Sequence, residues 1–195
     1  VILFGSISYV FIFIVGVCGN LLVIYVLLKE KELRSFTNYL LANLSVADLM
    51  VLFTCVPSGL HDLFAKERWY LGKTLCYLVS FIENCMGIAS ILSIFFITCE
   101  RYYVICRPMW IKSLMTHSRT LKLVVFIWVA SILINLPYIF SSNHRLSDFY
   151  DGTKAYKCYI KLDFKSYFFY YTLATYFFAY FLIGKWFISA NFDLQ

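Results

Sequence analysis

Unbroken apolar runs divide the chain into five blocks: 1–28, 39–60, 75–99, 123–140 and 166–184. Each is near or above the roughly 20 residues an α-helix needs to cross the hydrocarbon of a bilayer. The runs do not alternate with a period of two. Helices, which satisfy their backbone N–H and C=O groups within the segment, are therefore expected rather than barrel strands. Only Asp48 interrupts the second block and only Glu83 the third. Short charged linkers separate them: Lys29–Asn38, His61–Thr74, Glu100–Lys122 and Ser141–Lys165. No soluble domain, repeat or low-complexity tract stands out. A single membrane domain over residues 1–195, an all-α transmembrane bundle, is expected.

Composition supports lipid as the solvent. Apolar residues make up 62% of the chain and charged residues 14%, with a mean hydropathy of +0.75. Soluble domains carry about 25% charged residues, and a soluble fold of this length could not hide so much apolar surface. The net charge of +6 is too diffuse for nucleic-acid binding, and the basic residues sit where loops meet headgroups. Eight Lys and Arg fall on each side, with Lys185 adding one more, so charge does not set the orientation. Cysteines are more informative. Cys76 and Cys158 lie in or beside the second and fourth linkers, which share a face of the membrane. A disulfide between them would place that face in an oxidising compartment, hence outside. Cys18, Cys55, Cys85, Cys99 and Cys106 lie in or next to spans and read as packing residues. His61, His117 and His144 are scattered over opposite faces and form no metal set. No nucleophile, metal or general-base constellation suggests an enzyme.

An ordered series of short motifs is more specific. The first block contains Gly19-Asn20 and the second Asn43-Leu44-Ser45-Val46-Ala47-Asp48. Trp69-Tyr70-Leu71-Gly72 precedes Cys76, and the third block ends in Glu100-Arg101-Tyr102, followed by Cys106-Arg107-Pro108. Trp128 and Pro137 lie in the fourth block. Together these resemble the rhodopsin-like G-protein-coupled receptors, and the run Ala89–Ile94 before Glu100-Arg101-Tyr102 looks most like neuropeptide receptors of the ghrelin, neuromedin U and thyrotropin-releasing-hormone kind. Helix geometry agrees. The 25 residues from Cys76 to Arg101 rise about 38 Å, placing them at opposite membrane faces. Glu83 and Arg101 share one helical stripe with Ser90 nearby, so that polar stripe should face the bundle interior.

The resemblance implies roles for these residues. Asp48, Asn20 and Ser90 look like part of an allosteric sodium pocket; the alternative is a polar packing cluster that holds no ion. A mid-span carboxyl persists only if partnered, protonated or bound to a cation. Glu100, Arg101 and Tyr102 look like the G-protein coupling switch, in which release of the Arg from the Glu follows activation; a snorkelling interfacial Arg is the plainer alternative. Glu83 stands where amine receptors carry Asp, a departure that weakens an amine reading. It could contact a cationic ligand or pair within the bundle, with Asn84, Tyr77 and Phe81 lining the same pocket. Trp69 resembles the outer-loop packing motif of peptide receptors, or else an interfacial anchor, and Trp128 and Pro137 are structural. Cys76 and Cys158 are expected to be bridged outside. Asn43-Leu44-Ser45 matches a glycosylation pattern, but within a span it is inaccessible.

The function implied is activation of a heterotrimeric G protein by an extracellular peptide from a multi-pass plasma-membrane receptor, without covalent chemistry or a cofactor beyond a sodium ion. A small transporter or channel would also place acids within spans, but would need neither the cysteine pair nor the Glu-Arg-Tyr end. A truncated, non-signalling receptor fragment is the remaining alternative. The family's sixth and seventh spans are absent, the fifth block lacks a central proline at Tyr176–Phe181, and Lys185–Gln195 resembles no third cytoplasmic loop. With no span to move beside Arg101, these 195 residues are expected not to transmit an agonist signal alone. The chain starts with Val, so upstream sequence is expected. Residues 1–28 are uncharged, with no basic region of a signal peptide.

Overall fold

A computed structural model describes residues 2–30, 35–106, 116–149 and 151–161, and within the fifth block residues 170–174, 176, 177, 181 and 184. Arg107, Pro108 and the chain beyond Gly184 lie outside the described residues, as does the side chain of Cys106. Four long helices occupy the first four apolar blocks: α1 (Ile2–Lys29), α2 (Phe36–Ala65), α3 (Gly72–Cys106) and α4 (His117–Ser141). All four are long and apolar enough to cross a membrane. The described residues of the fifth block are helical.

The helices run past their apolar blocks because caps and headgroup-zone polar residues continue the backbone ladder. Ser35 caps α2 by accepting the Asn38 N–H at 3.3 Å, as an N-cap serine should. At the other end Lys66 and Glu67 stand in the left-handed region, at φ 49° and 72°. This is uncommon for residues with a Cβ, and the sharp turn directs Glu67 and Arg68 toward the fourth linker.

Packing is graded across the bundle. No residue of α1 is buried, as befits a helix that is apolar all round with lipid on its free sides. It meets α2 through small residues that permit close approach. A Cβ on Gly16 would lie 2.7 Å from Leu52 Cδ1. The core forms where α2, α3 and α4 converge. Leu40, Ala89 and Ile127 seal one layer, and Ala47, Cys85 and Met86, backed by Phe81 and Trp128, seal the next. Tyr171 donates its hydroxyl to the Ile134 carbonyl at 2.5 Å, and Tyr138 shares a hydrogen bond with Thr172. The described part of the fifth helix is thereby fixed to α4.

The fourth linker holds a feature that the apolar pattern did not reveal: an antiparallel hairpin, β1 (Ser142–Asp148) and β2 (Lys154–Ile160), in unbroken register from Ser142↔Ile160 to Asp148↔Lys154. Its turn uses Gly152 at φ 74°.

Candidate functional site

Three groups of functional residues lie along α3, and its outer end is the most heavily built. Cys76 and Cys158 form a disulfide with their Cα atoms 5.7 Å apart, joining α3 to β2. The bridge supports the outward placement of this face. Trp69 is 8% exposed. Its indole N–H donates to the Gly72 carbonyl at 2.7 Å, its backbone N–H donates to the Tyr156 carbonyl at 2.7 Å, and its ring packs edge-on against His61. Trp69 thus fastens the linker before α3 to the hairpin. Arg68 adds a second tie through Asp151 and Thr153 and lies over the Phe149 ring. Glu67 and Lys157 form a third.

Beneath this roof lies a cavity of about 560 Å³, lined on α2 by Ser58, Gly59 and Asp62, on α3 by Cys76, Val79, Ser80 and Glu83, and from above by Glu67, Trp69, Lys157 and Cys158. Three carboxylates face one ammonium, so the walls are net acidic. The Lys157 ammonium bonds Glu67 and holds its carboxyl below the usual range. Hydrogen bonds from the Thr153 side chain and backbone, with the Arg68 guanidinium beside it, hold Asp151 down to about 2. That same carboxylate raises Arg68.

Glu83 faces this cavity, but Asn84, Tyr77 and Phe81, expected to share it, do not line it. At 100° per residue the cavity face of α3 repeats as 76, 79, 80 and 83, and the other three fall on different sides. Asn84 returns its amide to the Ser80 carbonyl at 2.8 Å, and Phe81 packs against the core layer of Ala47, Cys85 and Met86. Helical periodicity was the available signal for Val79 and Ser80.

Midway along α3, the expected trio does not join up by hydrogen bonds. Asp48 is half-buried and bonds no described residue; Asn20 donates its amide within its own helix, to the Gly16 carbonyl at 2.9 Å. Ser90 is likewise half-buried. The polar network that forms lies closer to the inner face and runs in one direction. Trp128 donates its indole N–H to Asn43 Oδ1 at 2.7 Å, Asn43 Nδ2 donates to Ser93 Oγ at 2.9 Å, and Ser93 donates to the Ala89 carbonyl. Asn43 and Ser93 are both buried. Here α2, α3 and α4 are stitched together through buried polar groups that are bonded to one another. Trp128 therefore has a bonded structural place. Pro137 lies inside α4, one residue before Tyr138, which reaches the fifth helix.

At the inner end Glu100 is only 8% exposed. Its Oε2 accepts the Thr37 hydroxyl at 2.7 Å and lies 3.5 Å from Arg101 Nε. The Arg101 side chain remains 64% exposed, and Tyr102 packs against Tyr103. Thr37 was not singled out in the sequence, because one threonine at a helix end carries no distinguishing pattern.

Comparison with known proteins covers nearly the whole chain. The model of the 7 transmembrane receptor (rhodopsin family) matches residues 19–190. Neuromedin-U receptor 1 of Mus musculus is 35% identical over 141 residues, 72% of this chain and 32% of that receptor. Neuropeptide Y receptor type 6 of Oryctolagus cuniculus is 34% identical over 144 residues, 73% of this chain and 37% of its own. The QRFP-like peptide receptor of Branchiostoma floridae is 32% identical over 143 residues, again 73% and 37%. The chain thus spans about a third of the length of these relatives.

Proposed function

The chain belongs to the rhodopsin family of seven-transmembrane receptors, and on that premise we propose that it takes an extracellular peptide in its acid-lined outer cavity and signals to a heterotrimeric G protein at Arg101. It is a multi-pass protein of the plasma membrane, in a family of receptors rather than enzymes. One observation carries the proposal: a single helix, α3, bears the cavity acid Glu83 near one end and the clamped Glu100–Arg101 pair at the other. Relatives named for neuromedin U, neuropeptide Y and a QRFP-like peptide support a peptide ligand. The walls favour a ligand with a basic group.

The test is a chimera in which this chain replaces the matching segment of Neuromedin-U receptor 1, expressed in cells with G-protein activation as readout. Neuromedin U, neuropeptide Y and QRFP peptides would be titrated. A saturable response to at least one, abolished by Arg101→Ala at equal surface expression, is expected. A chimera that reaches the surface and answers none of them overturns the proposal.

The sodium role is proposed for Asp48. The oxygens on offer are its carboxylate on α2, the Asn20 amide oxygen on α1, left free because only Nδ2 is engaged, and the Ser90 hydroxyl on α3. Oxygen donors suit a hard cation. In the same chimera, sodium should lower agonist affinity, and Asp48→Asn should remove that effect. Unchanged sodium sensitivity rejects the role.

A further inference from the structure

The hairpin has one strand edge open to the cavity. In an antiparallel pair, residues alternate between those bonded to the partner strand and those whose N–H and C=O point away from it. Two bonds fix the phase here. Lys161 N–H donates to the Ser141 carbonyl at 3.0 Å, and Phe149 N–H to the Thr153 carbonyl at 2.9 Å. Counting inward along the register, Tyr159 and Lys157 bond to β1, whereas Ile160, Cys158, Tyr156 and Lys154 point their backbone groups outward. The Trp69 N–H already uses one outward group, the Tyr156 carbonyl. Among the described residues, the N–H and C=O groups of Cys158 and Ile160 have no hydrogen-bond partner. The strand packed along α3 is β1, whereas β2 meets α3 at the Cys76–Cys158 bridge, and Cys158 and Lys157 both line the cavity.

We infer that the ligand enters in extended form and adds to β2 as a third strand, pairing its backbone with Cys158 and Ile160 while a basic side chain reaches the acids below. Strand addition supplies affinity through main-chain bonds and specificity through alternate side chains. Charge favours this occupant: Asp62, Glu67 and Glu83 face a single cation, Lys157. Glu83 lies seven residues along α3 from Cys76, about 10 Å lower, within reach of a long basic side chain on a strand at the rim. Trp69 bonds the Tyr156 carbonyl as a strand neighbour would, so the outward groups of β2 are oriented for strand pairing, and Cys158 and Ile160 are the ones left for the ligand. The inference rests on the peptide-receptor proposal and adds the bound conformation and its docking edge.

The probe is a capped eight-residue peptide of alternating Lys and Val, titrated onto the 195-residue chain in zwitterionic nanodiscs, with empty nanodiscs subtracted. Two derivatives carry backbone N-methyl groups on either the odd or the even residues. Only alternate N–H groups of an added strand face β2, so one derivative should lose about tenfold or more in affinity and the other should bind like the parent. Ile160→Pro removes an outward N–H but leaves the ladder donors of Tyr159 and Lys161, and edge positions tolerate proline. It should weaken the parent peptide similarly, with the Cys76–Cys158 bridge checked by non-reducing peptide mapping. A Glu/Val peptide should not bind. Equal loss from both methylation phases, or binding indifferent to Ile160→Pro, overturns strand addition, as does no binding of the Lys/Val peptide at about 1 mM. If binding falls with Glu83→Gln yet ignores methylation, strand addition fails while the acid-lined cavity stands as a peptide site.

Discussion

The two ends of α3 are held in opposite ways. Outside, α3 and the linker before it are joined to the hairpin by a covalent bridge, a buried tryptophan with two bonds to backbone carbonyls, and two ion pairs. Inside, among the described residues, one buried carboxylate, Glu100, is restrained by a single threonine hydroxyl and faces an arginine whose side chain is largely exposed. Redundant ties make a rigid frame, and a lone reversible clamp makes an element that can adopt two arrangements. A receptor needs a frame where it reads a ligand and a movable part where it reports.

Removing the covalent tie should have the largest effect. The bridge closes a segment with a sequence separation of 82 residues, and losing such a bond costs about 2–5 kcal/mol. Cys158→Ser in nanodiscs should lower the thermal midpoint clearly and expose the hairpin to protease. If the hairpin stays protected, the noncovalent ties alone make the frame, and the contrast between the two ends shrinks.

Next comes the seam between them. Asn43→Leu leaves the Trp128 indole N–H without its buried acceptor and takes from Ser93 the amide that donates to it. Stranding buried polar groups costs about 1–3 kcal/mol each. Trp128→Phe removes the donor with less disturbance and should cost less. Equal costs would mean that packing of the indole ring, and not its hydrogen bond, fixes α4.

At the inner end, Thr37→Val should cost only about 1 kcal/mol but should raise ligand-independent signalling in the chimera, because Glu100 loses the bond that aims it at Arg101. Glu100→Gln should raise it further. Basal signalling unchanged in both variants would show that the clamp is not the switch.

These expectations also show what was legible beforehand. The four described spans could be read because lipid demands uninterrupted apolar length, a property of composition alone. The disulfide and the Glu100–Arg101 pair could be read because they belong to recognisable motifs. The hairpin could not: β1 is Ser-Asn-His-Arg-Leu-Ser-Asp, with no β-branched residue and no apolar alternation. It is a strand because Cys158 and Trp69 hold its partner in place. Thr37 and Ser93 were equally silent. Their roles come from being opposite Glu100 and Asn43 on another helix, which no local pattern encodes. Tyr77, Phe81 and Asn84 were grouped with Glu83 as neighbours in sequence, whereas the lining of the described cavity follows every third and fourth residue of α3, at Cys76, Val79, Ser80 and Glu83.

The smallest effect belongs to the outermost tie, and it tests whether the frame is redundant. Asp151 and Arg68 sit at the solvent-facing tip of the hairpin, where ion pairs contribute little. The Asp151 carboxyl is held to about 2 by the Thr153 hydroxyl and backbone N–H and by Arg68. A carboxylate depressed in the fold contributes stability that is fully present above its unfolded value, near 4, and is lost only as pH falls through the folded value. The tip should therefore be indifferent to pH between about 8 and 5, with loosening confined to the window between about 4 and 2. Hydrogen exchange at the Gly152 and Thr153 amides, corrected for intrinsic rates, reads this directly. Thr153→Val deletes the strongest of the three restraints on Asp151 and brings its folded value closer to 4. The acid loosening should therefore be smaller than in the parent and complete at a higher pH, with the Trp69–Tyr156 bond and the disulfide still holding the hairpin. If Thr153→Val instead frees the whole hairpin, including the β2 edge at Cys158, the outer end depends on a surface contact after all. It would then be as switchable as the inner one.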